Sequence, residues 1–210
     1  MKRVVLSGYY GFSNAGDEAM LRSILQALRS KNSDCSITVI SGNPKATAAK
    51  YAVKSVYIFD FIAIIKVLMK CNVLISGGGS LLQNVTSWQS FYYYLTVLAL
   101  GKMLGAKVML YAQGIGPVRG FLPKRIMSWI VNRADYITVR DEGSFAELHD
   151  IGISKPVIQI TADAVLGMEP VDLVCGKNIL QNLGVDLSKT VIAVAPRRWA
   201  TDNEYLKSLA

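Results

Sequence analysis

Cysteine is scarce: the 210 residues hold three, Cys35, Cys71 and Cys175. They are far apart, odd in number, and form no CxxC pair. That excludes a disulfide framework and a thiolate zinc site. Buried free thiols in a reducing compartment are the expectation. Histidine occurs once, at His149, late in a short helix before Gly152, where a surface position is expected. No metal-binding or cofactor motif stands out. A signal peptide is also missing, because the apolar run after Met1, Lys2 and Arg3 is too short. Two apolar stretches, residues 56–69 and 91–104, fall short of the ~20 residues a membrane span needs. Asp60 and Lys66 interrupt the first. Buried helices explain both, a helix resting on a membrane surface stays open, and the cytoplasm is the default location.

Nucleotide signatures are absent too. There is no GxGxxG, no acidic residue ends the second predicted strand, and no GxxxxGK[ST] loop occurs. NAD and a standard NTP site are disfavoured. Basic residues are scattered, with no block longer than Arg197-Arg198, which argues against nucleic acid.

What is present is a large apolar content, 51%, against 18% charged residues. That supports a sizeable core and excludes disorder. The formal charge of +8 suits an anionic partner, whether a phosphorylated substrate or a membrane face.

Short β-rich runs alternate with helical patterns. Strands are predicted at residues 3–7, 36–40, 55–58, 72–76, 107–111, 136–139 and 157–160. Helices are predicted at 17–30, 59–70 and 87–104, around Leu122 to Ile130, and at 142–150. In the first helix Leu21, Ile24, Leu25 and Leu28 share one face. This alternation implies βαβ units and a mostly parallel α/β sheet with right-handed crossovers. Residues 1–167 therefore read as a Rossmann-like domain with helices on both faces. Residues 168–189 read as a linker from Met168 to Pro170 and a helix near 177–183. Residues 190–210, with a strand at 190–195, read as the start of a second Rossmann-like domain that is cut short.

In such sheets ligands bind beyond the carboxyl ends of the strands. The loops there are Gly8 to Glu18, Gly77-Gly78-Gly79-Ser80, Gln113 to Pro117, Arg140-Asp141 and Thr161-Ala162-Asp163. Glycine lets the backbone approach a ligand, and helix N-termini favour an anion. Several such loops on one edge point to a ligand site. Asn14 and Asp17 fit helix capping, which explains one of them well and both poorly. A substrate hydroxyl is the other role open to them. Asp141 suits the cap of the following helix. An ion pair of Arg140 with Asp141 or Glu142 is the other reading; with Asp141 as the cap, Arg140 is left free to reach the cleft and hold a carboxylate or phosphate with two hydrogen bonds. Tyr92-Tyr93-Tyr94 could stack on a sugar, but core packing is expected for at least two of them.

These motifs, GYYGFSNAGDEA, ISGGGSLLQN with TSWQS and YYY, YAQGIGPV, VRDEGS and TADA, resemble the polysaccharide pyruvyl transferase family. They appear in the family's order across residues 3–167, most like the bacterial cell-wall type linked with S-layer anchoring. IAVAPRRW resembles the opening of that family's second domain. The resemblance implies a GT-B-like architecture with an interdomain active site. It implies transfer of a pyruvyl group from phosphoenolpyruvate to two hydroxyls of one sugar, with a pyruvate ketal formed and phosphate released. No cofactor is implied; phosphoenolpyruvate is the donor substrate. The acceptor would be a polysaccharide or a lipid-linked oligosaccharide, met in the cytoplasm or at the inner face of the membrane. A homo-oligomer stays open. By this mapping Arg140 and Asp17 serve catalysis. Tyr10, Asn14, Gly77, Gly78, Gly79, Ser80, Gln113, Gly114 and Arg197 bind substrate. The family's catalytic histidine belongs to its second domain, and His149 does not match it, so the chain alone is expected to be inactive. Asn84 stands where the family often has Asp, and Ala164 where it often has Pro. The alternatives are a GT-B glycosyltransferase using a nucleotide sugar and a glycan-binding remnant without catalysis.

Overall fold

The structure is a computed structural model that describes residues 2–31, 34–170 and 172–194. The chain divides into two compact units, with the boundary after Glu169.

The first unit carries seven strands: β1 (Lys2–Ser7), β2 (Cys35–Ser41), β3 (Lys54–Tyr57), β4 (Val73–Gly77), β5 (Lys107–Gln113), β6 (Tyr136–Val139) and β7 (Val157–Ile160). All pair in parallel, in the order β3-β2-β1-β4-β5-β6-β7. This extends the doubly wound order by one strand. From β1 the chain winds one way through α1 (Ala15–Lys31) and α2 (Pro44–Tyr51). It then crosses back to β4 and winds the other way through α3 (Phe61–Leu68), α4 (Trp88–Met103), α5 (Phe121–Val131) and α6 (Glu142–Asp150). The switch point lies between β1 and β4.

Alternating strand residues supply two cores. Val4, Leu6 and Ile75 pack with Leu21 and Ile24 of α1. Val5 and Leu74 face the opposite way and pack with Ile64 of α3, Leu95 of α4, Met127 of α5 and Leu148 of α6. Right-handed crossovers place the helices before and after the switch on opposite faces. The expected Rossmann-like α/β fold is the one observed.

Four details differ from the sequence reading. Helix α2 was not foreseen, because Pro-Lys-Ala-Thr-Ala-Ala-Lys-Tyr offers little apolar periodicity. Its signals are local: the Asn43 side chain accepts from Ala46 N, and Pro44 sits in the first turn. The strand expected at 190–195 is not seen in its described part. Residues 190–194 are irregular and exposed, and no strand among the described residues supplies a ladder for them. The cysteines are free, but only Cys71 is buried; Cys35 is half-buried and Cys175 exposed. In the second unit, α7 (Leu173–Asn182) begins earlier than expected, because Asp172 caps it through Val174 N at 2.9 Å. No helix among the described residues is long and apolar enough to cross a membrane.

Candidate functional site

The loops at the carboxyl edge converge around one arginine. Arg140 follows β6, and its N–H donates to the Gln113 carbonyl at 3.2 Å, continuing the ladder. Its guanidinium lies on the Gly114 backbone. A Cβ at Gly114 would come within 2.7 Å of the guanidinium, so a side chain there would push the guanidinium aside. Nη1 lies 3.0 Å from Asp163 Oδ2, Nε lies 3.5 Å from Asp141 Oδ2, and Nη2 reaches Ser80 Oγ at 3.5 Å. One side chain thus bridges the loops after β4, β5, β6 and β7.

This corrects one expectation. Asp141 does cap α6, with Ser144 N donating to Oδ1 at 2.6 Å, but that leaves Arg140 paired rather than free. A carboxylate has two oxygens, so Asp141 can cap with one and meet Arg140 with the other. The bonds from Ser144 hold its carboxyl below the usual range. Asp163, absent from the expected site residues, is the nearer counter-ion. It also caps the 3₁₀ turn Ala164–Gly167 through Val165 N at 3.1 Å.

The glycine loop after β4 is built from beneath. Tyr10 was expected to meet substrate, but it is 1% exposed, and its hydroxyl donates to the Gly77 carbonyl at 2.6 Å. Burial pushes that phenol far above its usual range. Gly78 (φ 82°) and Gly79 (φ 66°) occupy the left-handed region, and their N–H groups turn inward. Gly78 N meets Tyr111 O at 3.4 Å, and Gly79 N meets the Met20 thioether at 3.1 Å. Gly114 N donates to Gly79 O at 3.0 Å. No helix follows this loop directly; α4 begins at Trp88. The expected N–H cradle is therefore taken up by the loop's own geometry, and Ser80 is its exposed polar group.

Gln113 is fully buried and donates from Nε2 to Ser76 Oγ at 2.9 Å. Its Oε1 is buried without a partner among the described residues. The ladder shifts register between Leu110 and Gln113, and Ala112 carries a φ of 47°. Ser13, in the loop after β1, has a φ of 61°. Strain of this kind collects at functional edges.

Asn14 caps α1, accepting from Gly16 N at 3.0 Å and Asp17 N at 3.4 Å. Asp17 is half-buried in the first turn of α1, with Oδ1 3.1 Å from where a Gly79 Cβ would stand. Asp17 and Arg140 thus flank the glycine loop from opposite sides. The next residue, Glu18, escaped notice in the sequence. It accepts from Gly11 N (2.9 Å), Lys50 Nζ (3.1 Å) and Tyr51 Oη (2.6 Å). Burial would raise its carboxyl, but the bonds from Tyr51, Gly11 and Lys50 outweigh that and hold it low. It ties the first loop to α2 beside a cavity of about 360 Å³ lined by Gly11, Ser13, Ala15, Asn43 and Lys50. Arg197 lies outside the described residues. His149 is exposed in the last turn of α6, as expected.

The sequence profile of the polysaccharide pyruvyl transferases matches residues 14–209. The chain belongs to this family.

Among curated proteins none matches the chain. Solved structures show the fold. A UDP co-structure of MnaA from S. aureus has 11% identity and a TM-score of 0.53, covering 88% of this chain and 50% of that one. An α-glucosyltransferase solved with UDP-glucose and DNA has 14% identity and a TM-score of 0.48, covering 75% and 41%. A ribokinase-like protein of Enterococcus faecalis V583 has 13% identity and a TM-score of 0.44, covering 87% and 55%. The chain spans about half the length of the solved structures it matches.

The two departures from the family pattern have physical readings. Asn84 is 2% exposed; its Nδ2 donates to Arg119 O, and its Oδ1 accepts from Arg119 N, both at 2.8 Å. An amide matches a peptide group in this way and a carboxylate does not. It clamps the loop after β4 to the loop after β5. Ala164 opens a capped 3₁₀ turn, where proline would also fit, so the turn survives the exchange. The tyrosine run is mostly packing. Tyr94 is buried, Tyr93 meets the rings of Phe59 and Phe61, and Tyr92 lies against Phe91 and Trp88. An exposed aromatic pair stands elsewhere on the edge: Tyr9 and Phe12 stack at 4.3 Å in the loop after β1.

Proposed function

We propose that this chain supplies the acceptor-side half, with one donor ligand, of an enzyme that moves a pyruvyl group from phosphoenolpyruvate to a sugar of a cell-wall polysaccharide. The reading is supported by family membership across residues 14–209 and carried by one observation: the bridging guanidinium of Arg140 at the ligand edge. Each terminal nitrogen of Arg140 has a second N–H beyond the contact described above. Those donors suit the donor's carboxylate, with Ser80 beside them.

The chemistry is addition followed by ring closure. A proton reaches the methylene carbon of phosphoenolpyruvate, and positive charge develops at C2. One sugar hydroxyl bonds to C2 and gives up its proton. Phosphate leaves with its bonding electrons as the second hydroxyl closes the ketal and loses its proton. One of those two protons replaces the proton delivered to carbon, and the other departs with phosphate. Asp17, on the α1 side of the glycine loop, orients a hydroxyl and takes a proton from it in this reading. The exposed Tyr9–Phe12 pair offers a face for the sugar ring. The acid that protonates carbon is assigned to a domain following this one, so residues 1–210 alone should not turn over.

The test uses a longer form that includes that domain, with phosphoenolpyruvate and a β-linked N-acetylmannosamine-type oligosaccharide. Phosphate release together with a ketal by mass spectrometry is expected, and Arg140→Ala should raise the KM for phosphoenolpyruvate. Protection from thermal unfolding by UDP-sugars, with none from phosphoenolpyruvate, would overturn the assignment in favour of a nucleotide-sugar donor.

A further inference from the structure

Acidic residues are missing from a long part of the chain. From Phe61 to Ala134 there is no Asp or Glu, while Lys and Arg occur eight times. The chain's whole formal charge of +8 therefore resides in this stretch. It comprises α3, β4, α4, β5 and α5, and α4 packs against both of the other helices. The three cover the same face of the sheet.

That face is also unusually apolar toward solvent. On α5, Phe121, Arg125 and Trp129 are spaced by four and form one exposed stripe. Phe121 is 76% exposed and Trp129 60%. Arg125 lies over the Phe121 ring at 5.4 Å and Arg133 over the Trp129 ring at 4.0 Å. A groove of about 520 Å³ beside them is lined by Lys124, Arg125, Arg133 and Lys155, with Asp150 as its one acid. On α3, Ile62, Ile65 and Met69 are exposed beside Lys66 and Lys70. Two of the flanking acids are engaged. Asp60 caps α3, and Asp135 takes Lys102 Nζ at 2.7 Å and Val108 N at 2.8 Å.

We propose that the α3–α5 face docks on an anionic phospholipid surface, with the aromatic and aliphatic side chains in the interface and the lysines and arginines among the headgroups. Charge complementarity selects this occupant. A second copy of the chain docked through the same face would bring one predominantly basic surface against another, and like charges would oppose it. A bilayer rich in anionic lipid offers both the negative potential and the apolar depth that this pattern fits. The inference rests on charge and exposure, not on the proposed donor or acceptor.

Vesicle co-sedimentation of the 210-residue chain tests it. Binding is expected to vesicles of phosphatidylglycerol mixed with phosphatidylcholine, to be weak with phosphatidylcholine alone, and to fall as salt rises. Lys124→Gln with Arg125→Gln should weaken binding about 25-fold, at about fivefold per charge. Phe121→Ser with Trp129→Ser should remove the part that resists salt. Both pairs are at the surface, and thermal melts report whether they fold. The wild-type dependence on lipid and salt tests the idea even without the variants. No binding to the anionic vesicles at low salt overturns it. So does equal binding by wild type and both variants, or a concentration-dependent dimer in sedimentation velocity that both variants abolish.

Discussion

Replacing Asn84 by Asp exchanges one atom and tests whether the two central loops are clamped as described. In the native chain the amide makes two 2.8 Å bonds to the Arg119 peptide, at a site 2% exposed. The ionised carboxylate introduced there would keep the bond from Arg119 N–H. Its other oxygen would face the Arg119 carbonyl, two acceptors with no proton between them. A buried carbonyl left in this way costs about 1–3 kcal/mol. Desolvation adds to the pressure to protonate, so the folded-state carboxyl should titrate above its unfolded value. A displacement of about two pKa units corresponds to ~2.7 kcal/mol. A carboxyl raised on folding contributes stability that is fully present below its unfolded pKa and lost as pH rises through its folded pKa. Asn84→Asp should therefore unfold close to wild type near pH 4. At pH 7 it should be destabilised by about 2 kcal/mol, lowering Tm by roughly 4–8 °C for a unit of this size. Urea denaturation at steps from pH 4 to pH 8, with both proteins side by side, measures the difference. Equal stability at pH 7, or a penalty that does not change between pH 4 and pH 8, would refute the clamp.

Three other substitutions probe the edge. Tyr10→Phe removes the donor to Gly77 O and should cost about 1–2 kcal/mol, seen as a lower urea midpoint with unchanged m. For Glu18→Gln, the native carboxyl is held below its ordinary value, so its contribution is present above the unfolded pKa and lost as pH falls through the folded one. The gap in stability between wild type and variant should accordingly narrow as pH falls below the unfolded value, and a gap that stays constant across that fall would count against the Glu18 network. Asp163→Asn removes the closest counter-ion of Arg140; because the pair is partly exposed, melting should shift little, while phosphoenolpyruvate should bind up to about fivefold more tightly, as calorimetry would show.

The fold was legible because its signals are local and repeated. All seven strands of the sheet carry β-rich runs. Helix α1 shows apolar spacing at Leu21, Ile24 and Leu25, and α4 stands out as a long, nearly continuous apolar run. Capping residues also carried over: Asn14 and Asp141 sit where their chemistry suggests. Helix α2 was hidden because its stability comes from a cap, a proline and two buried side chains, Thr47 and Tyr51, rather than from an apolar stripe. Residues 190–194 show the opposite failure. Thr-Val-Ile-Ala-Val has strand propensity, but propensity is not a ladder, and pairing is a tertiary fact.

The site was legible as a set of loops and not as a set of roles, and the difference lies in reach. A glycine at a strand end announces a close approach without saying what approaches. At Gly114 it is the Arg140 guanidinium, and at Gly77 it is the Ile24 side chain with the Tyr10 hydroxyl beside it. Tyr10 and Gln113 look like ligands in sequence because they stand at the ligand edge, yet both side chains turn into the core. Asp163 is readable in sequence as a residue of an edge loop but not as the partner of Arg140, because 23 residues separate the two and only the pairing of β6 with β7 brings them together. The outcome changes the electrostatics of the edge. An arginine read as free is instead paired with two carboxylates. Its carboxylate neighbours hold it oriented, and an anion binding at this edge would have to displace or share with them. That cost is small for a partly exposed pair. In return the guanidinium is already placed across the loops that its ligand would touch.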